Sequence, residues 1–458
     1  MIKLGAVLRT TAYIELIIAV AVLAALSLFD LRYKSISKSD PEPTLVSQAD
    51  GLIYNGLNSP VPEIARSNYK KAFEHYDSLP QKQEIIRREI VVSEALLKES
   101  GLTSVCKLSN KTKESTKEKI LWIETFIVSN PKQSAINKFI KESKKYDIGV
   151  LRYTAISELY ARSNQPELAN KWMQIAKNSA KKKMLVYSAF GLFMVVFGGM
   201  GVVLFFRYLS WAKKQKTIKV EAVETNHITP DKSSDLLLNA FIYYIVAYSV
   251  IGIFAGILFS LSSDKKILKP YMLQINIFIS LISIAIGLLF ITSRGLTLDS
   301  IGISLKAKLK DFNKWFKMGI GAYCVTIPLV FIGAMLTKLF ANQSVSDNPI
   351  VYWIRDGKIS MAWIIILAVV AAPVVEEIAF RGLLYTSLRK QFNKWSAAII
   401  SASIFSLIHP TIPYTLLPIF MLGMVFAIVR EESNSIYPGM IAHALNNGMS
   451  LLIFSLIQ

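Results

Sequence analysis

Six side chains toward the C-terminal end have the types and spacings for acid–base chemistry. Glu376, Glu377 and Arg381 share one apolar stretch, His409 closes the next, and His443 and Asn447 lie in the last. A carboxylate withdrawn from water and left without a counter-ion can act as a base at neutral pH. Helical spacing separates the two glutamates. Glu377 and Arg381 are four residues apart and can pair on one face. Glu376 is turned by about 100° from its neighbour and left free for other work. His443 and Asn447, again four apart, present a single face. The chain has only four histidines, and two of them are in or beside apolar stretches. A lone buried histidine is usually a satisfied core residue; two on separate spans near a glutamate pair are poorly explained that way. A structural ion pair in a transporter would account for Glu377 and Arg381 but would leave Glu376 without a role.

Charged side chains inside a bilayer helix cost about 2.5–3.5 kcal/mol each on insertion scales, and most apolar stretches of this chain avoid them. The stretch Ser360–Leu388 does not: Glu376, Glu377 and Arg381 fall near its middle. Counted from one membrane face at about 1.5 Å per residue, Glu376 lies about 18 Å deep, His409 about 21 Å, Asn447 about 16 Å and His443 about 10 Å. Polar groups from three spans could therefore meet in one cavity, which is the main sequence support for a catalytic site. Rival mechanisms lack their residues. No His-Glu-x-x-His occurs for a zinc protease, no Gly-x-Ser-x-Gly or Gly-x-Ser-Gly for a serine enzyme, and no mid-span aspartates for an aspartyl pair.

At these residues the chain resembles the CPBP family, which contains type II CAAX prenyl endopeptidases and bacteriocin-processing or immunity proteins. Its Glu-Glu-x-x-x-Arg motif is matched by Glu376, Glu377 and Arg381. Phe-x-x-x-His is matched by Phe405 and His409, and His-x-x-x-Asn by His443 and Asn447. The order, with one helix between the second and third motifs, also fits. The resemblance covers about 236–458; the family core is often drawn with eight helices where seven are counted here. It implies that Glu376 and His409 activate a water for attack on a peptide carbonyl. His443 and Asn447 would stabilise the oxyanion, Glu377 and Arg381 would orient the site, and Phe405 would pack against it. A carboxylate with two histidines (Glu376, His409 and His443) could also hold zinc, so a divalent metal is left open.

The elements that must position these residues are membrane helices. Hydrophobic residues make up 52% of the 458 residues against 18% charged, and they gather in blocks long enough for the roughly 20-residue requirement of a spanning helix. Nine spans are expected: about 11–29, 184–206, 236–261, 271–291, 316–339, 360–388, 395–409, 414–429 and 436–457. The first reads as a retained anchor, followed by an extended Ser- and Pro-containing linker over 35–50. Residues 51–183 are polar, Lys-rich and helical in period. Within them 151–180 form a hairpin in which Ala155, Leu159, Tyr160, Leu168, Ala169, Trp172 and Ala176 interlock across a break at Ser163–Pro166. That hairpin resembles one tetratricopeptide-type unit, with an ordinary helical bundle as the equal alternative. In the span 184–206, the glycines Gly198, Gly199 and Gly201 read as a close-packing surface and not a phosphate loop. Four domains follow: an anchor at 1–30, an extracytoplasmic helical domain at 31–183, a span with a basic cytoplasmic loop at 184–235, and the protease-like bundle at 236–458. The fold class is all-α, a polytopic membrane bundle with a soluble helical domain inserted after the first span.

The formal net charge is +20, and it collects between apolar blocks, as the positive-inside rule and anionic lipid heads require. No nucleic-acid-binding pattern accompanies it, so no nucleic-acid partner is expected. Lysines and arginines in 207–232, 294–317 and 389–394 fall on the side of Lys3 and Arg9, which puts the N-terminus in the cytoplasm of a bacterial cell and the helical domain outside. Lys181, Lys182 and Lys183 oppose that count. Cys106 and Cys324 are too differently placed to pair. The expected partners are the bilayer, a membrane-associated peptide or protein substrate, and a protein bound by the helical domain. The leading function is intramembrane peptide-bond hydrolysis. The alternatives are a catalytically inactive scaffold or immunity-type protein, and a proton-coupled transporter, which would require inverted repeats that are absent from the sequence.

Overall fold

The computed structural model describes residues 43–79, 83–108, 113–128, 130–146, 148–214, 230–261, 271–340, 360–409 and 415–457. Every regular element among them is helical, and the chain divides into two compact units, Lys38–Leu192 and Phe193–Ser455. The expected anchor at 11–29 lies outside the described residues.

The first unit contains α1 (Pro43–Asn58), α2 (Pro62–Asp77), α3 (Gln83–Val91, continued by a π turn Val92–Leu97), α4 (Leu102–Lys107), α5 (Lys113–Trp122, continued by a π turn Ile123–Ile127), α6 (Gln133–Glu142) and α7 (Leu151–Arg162). The long helix α8 (Pro166–Lys214) begins here. Part of the expected linker is helix instead: α1 starts at Pro43, because Val46, Ala49, Ile53 and Leu57 form one apolar face and are buried. Proline suits the first turn of such a helix. Aromatic rings centre the core, with Trp122 stacked on Phe126 and edge-on to Phe139, both at 5.2 Å.

The expected hairpin over 151–180 is present. Asn164 takes a left-handed conformation at the turn, with φ 57°, and Pro166 opens α8. Ser157 Oγ donates to the carbonyl of Ala169 at 2.7 Å, and Tyr153 stacks on Trp172. Leu168 is a correction: it is exposed, whereas Ala169, Ala176 and Ala180 are buried. One residue on a helix is a rotation of about 100°, so the alanine face that meets α7 turns Leu168 outward. A single hairpin of this kind suits a repeat unit and an ordinary bundle equally. Buried charge is paired nearby: Arg162 donates to Glu94 at 2.6 Å and to Glu158 at 2.9 Å.

The second unit is built from the rest of α8 with α9 (Pro230–Leu261), α10 (Met272–Ser293), α11 (Leu309–Phe340), α12 (Met361–Arg389), α13 (Lys394–Leu407), α14 (Leu416–Ser433) and α15 (Tyr437–Ile457). Five helices among the described residues are long and apolar enough to cross a membrane: 166–212, 232–258, 273–293, 309–337 and 361–389. The protein is therefore an integral membrane protein. α13 is apolar but has only 14 residues, too short for a full crossing at about 1.5 Å per residue. No break separates the span 184–206 from the polar helix before it, since lysine and alanine continue a helix readily. Of the three glycines there, Gly201 meets α11 most closely: an added Cβ would lie 1.9 Å from the carbonyl oxygen of Cys324, while at Gly199 it would meet nothing. Cys106 is exposed and Cys324 buried, both as free thiols.

The segment that carries the glutamates departs from the regular helix the sequence suggests. α12 is interrupted by two π stretches, Ile366–Ala371 and Ile378–Tyr385, which flank a short α turn, Ala372–Glu377. A π turn widens the helix by one residue and leaves carbonyls partly unspent, and such turns gather at functional sites.

Candidate active site

Glu377 is the centre of the arrangement. It is fully buried, and its Oε1 lies 3.1 Å from Arg381 Nη1 and 3.2 Å from His443 Nδ1. The helical pair read from the spacing is thus present, but it has a third member from α15. With a carboxylate accepting at Nδ1, His443 carries its hydrogen there, and Nε2 points onward to Glu376 Oε2 at 3.8 Å. Arg381, Glu377, His443 and Glu376 form one chain in which basic and acidic side chains alternate. Glu376 is the most open of the four, with its side chain 25% exposed where that of Glu377 is 0%.

Aromatic rings hold this chain in place. The Arg381 guanidinium lies over Phe405 at 4.4 Å and over Phe426 at 5.1 Å, and its Nη2 donates to the carbonyl of Gly423 at 3.3 Å. Cation–π contacts of this kind gain strength when water is excluded. His443 stacks on Phe426 and meets Phe405 edge-on. On its other side Phe405 contacts the ring of His409 at 4.7 Å. α13 ends at Leu407, so His409 sits in the turn beyond it and not within the helix. His409 Nδ1 is 2.6 Å from the Phe405 carbonyl, so Nδ1 donates and Nε2 keeps its lone pair. His409 stands in the electrostatic field of Glu376, His443 and Arg381, without a direct hydrogen bond to Glu376 among the described residues.

Asn447 is one turn beyond His443 on α15. Its Nδ2 donates to the carbonyl of Ala368 at 2.8 Å, within the first π stretch of α12; the second hydrogen of that amide is uncommitted to Ala368. The seven motif residues therefore fall into a tight group (Glu376, Glu377, Arg381, His443, Phe405) with His409 and Asn447 at its edges. A set of Glu376, His409 and His443 could in principle bind zinc. Among the described residues, however, no three His, Cys, Asp or Glu side chains are grouped to hold a metal ion. Both histidines hold Nδ1 in a hydrogen bond, which leaves Nε2 of each as the nitrogen for a ligand role.

Sequence reasoning missed three features. Phe426 supplies half of the aromatic clamp but looks like any apolar span residue. Gly439 faces Glu377: a Cβ there would lie 2.6 Å from Glu377 Oε2. Asn276, a polar residue within an apolar span and so visible in principle, donates to Tyr248 Oη at 3.4 Å.

Residues 358–449, which hold all seven motif residues, match the family described as Type II CAAX prenyl endopeptidase Rce1-like. Over 150 residues the chain is 31% identical to the Bacillus subtilis (strain 168) protein named "Putative membrane peptidase YdiL", covering 32% of this chain and 56% of that one. The match thus spans just over half of the relative's length. No solved structure matches. The three motifs meet in one site of the membrane bundle, and over residues 358–449 the chain is similar to the Rce1-like family of type II CAAX prenyl endopeptidases.

Proposed function

We propose that this protein hydrolyses peptide bonds of a membrane-associated protein or peptide, using a water activated by Glu376 and His409. The observation that carries the reading is the buried chain Arg381–Glu377–His443–Glu376. Its members are in close contact except at Glu376, the one that faces outward and that His443 reaches only at 3.8 Å. A buried ion pair costs several kcal/mol of desolvation per ion, and a purely structural bundle gains nothing from a second carboxylate held without a close partner.

In this mechanism a water lies beside Glu376. As its oxygen attacks the scissile carbonyl carbon, one proton passes to the Glu376 carboxylate, with His409 Nε2 as a second acceptor near by. The carbonyl π pair moves to oxygen. That oxyanion receives hydrogens from His443 Nε2, in a ring doubly protonated and held at Nδ1 by Glu377, and from the free Asn447 amide hydrogen. Losing one such donor typically costs 10²–10³ in rate. The intermediate collapses when Glu376 returns its proton to the leaving amine.

The substrate class that the family description suggests is a prenylated CAAX tail; the helical unit points to a client recruited by protein contact. The proposed setting is a bacterial cytoplasmic membrane with the N-terminus inside and the helical unit outside. Comparative membrane proteomics of cells carrying wild type or Glu376→Ala tests the whole reading: an unprocessed precursor should accumulate only with the variant. Full rescue of a null strain by Glu376→Ala would instead support a non-catalytic scaffold.

A further inference from the structure

Two tyrosines of α9 stand beside the carboxylate that the mechanism uses. α9 runs antiparallel to α12, with Ser234 against Ser387 and Phe241 edge-on to Phe380 at 5.2 Å, a register that sets Tyr244 level with Glu376, while α10 packs along the turn Ala372–Glu377. Tyr244 is buried, and its hydroxyl makes no hydrogen bond among the described residues. Tyr248, one turn further, accepts from Asn276 Nδ2 at 3.4 Å. That contact occupies a lone pair and leaves the hydroxyl hydrogen of Tyr248 to be donated elsewhere. Both rings are within electrostatic reach of Glu376.

Glu376 has the complementary need. Its Oε2 is buried and has no hydrogen-bond partner among the described residues; His443 Nε2 is 3.8 Å away. Buried polar atoms are rarely left unpaired. An unpaired acceptor and two unspent donors that do not touch directly describe a place for a bridging water.

We propose that Tyr244 and Tyr248 are positioning residues for the hydrolytic water, with Asn276 setting the direction of the Tyr248 hydroxyl. The water oxygen accepts a hydrogen bond from tyrosine through one lone pair and donates one hydrogen to Glu376. Its second lone pair is then aimed at the substrate carbonyl. The tyrosines exchange no proton in the reaction; the proton goes to Glu376 as before. The assignment rests on the water-activation reading above.

Its test does not require turnover. The full chain, reconstituted in lipid nanodiscs with ring-¹³C-tyrosine, is studied by infrared spectroscopy, with the C–O bands of Tyr244 and Tyr248 assigned by Tyr244→Phe and Tyr248→Phe. Glu376→Leu should shift both bands, and Asn276→Leu the Tyr248 band alone. The band of Tyr243, exposed on the same helix against Phe290, should stay put. Bands unmoved by Glu376→Leu overturn the proposal. On a fluorogenic farnesylated CAAX peptide, each Tyr→Phe change should lower kcat about a hundredfold, the cost of a misplaced reactant, at nearly constant KM. Unchanged kcat would overturn positioning even if the bands shift. A wild-type chain that leaves the peptide intact counts against the protease reading on this probe, while the bands still decide the role of the tyrosines.

Discussion

At the level of single residues, the site is a buried ion pair extended by a histidine, and its energetics follow from burial. Glu377 and Arg381 are almost wholly removed from water. Removing one partner of such a pair leaves a naked charge and typically costs about 3–5 kcal/mol, whereas replacing both by apolar groups costs far less. Glu377→Gln should therefore lower the melting temperature in detergent sharply, and adding Arg381→Met should recover part of the loss. Additive losses in the double variant would show that the pair is not coupled. Gly439→Ala is expected to act on the same carboxylate from the other side. A methyl 2.6 Å from Glu377 Oε2 must push Glu377 away from His443, abolishing cleavage at a stability cost of about 1–3 kcal/mol, the usual range for overpacking. A fully active Gly439→Ala enzyme would mean that the Glu377–His443 contact is dispensable.

At the level of elements, the glutamate–arginine pair and the histidine–asparagine pair were legible because a spacing of four puts two side chains on one helix face; Phe405 and His409 share the spacing, but His409 falls in the turn beyond its helix. The π stretches of α12 were not legible. They lie where α12 packs against α9, α10 and α13, and no residue in Ile366–Ala371 or Ile378–Tyr385 announces them by type. The hairpin over 151–180 was read correctly in its break at Ser163–Pro166 and wrongly at Leu168, because apolar character alone does not say which side of a helix finds a partner. Gly201 and Gly199 make the same distinction experimentally. Gly201→Ala should destabilise the bundle by roughly 1–3 kcal/mol, because its methyl collides with backbone and not with a movable side chain. Gly199→Ala should cause no loss. Thermal unfolding of the two variants in the same detergent checks this directly, and equal behaviour would remove the close α8–α11 contact.

For the molecule as a whole, the proposed orientation has a convenient native probe. Cys106 is exposed in the helical unit and Cys324 is buried in the membrane bundle. A membrane-impermeant maleimide should label Cys106 in intact spheroplasts and leave Cys324 unlabelled. Labelling that appears only after lysis would put the helical unit in the cytoplasm and reverse every span. Deleting 43–183 should leave the bundle's own chemistry intact while abolishing capture of the protein partner proposed for this unit, as read by co-purification. Unchanged co-purification would remove that role.

The sequence alone determined that the chain lives in a membrane and singled out the positions where ionisable residues interrupt apolar helices. Both conclusions follow from the high cost of placing charge in hydrocarbon, which makes each such residue conspicuous. Only the tertiary structure decided that His443 joins the two glutamates, that Phe405 and Phe426 clamp Arg381, and that Gly439 keeps room for a carboxylate. Those facts depend on which faces of separate helices meet, and a helix's own residues are equally content on any of several neighbours until packing selects one.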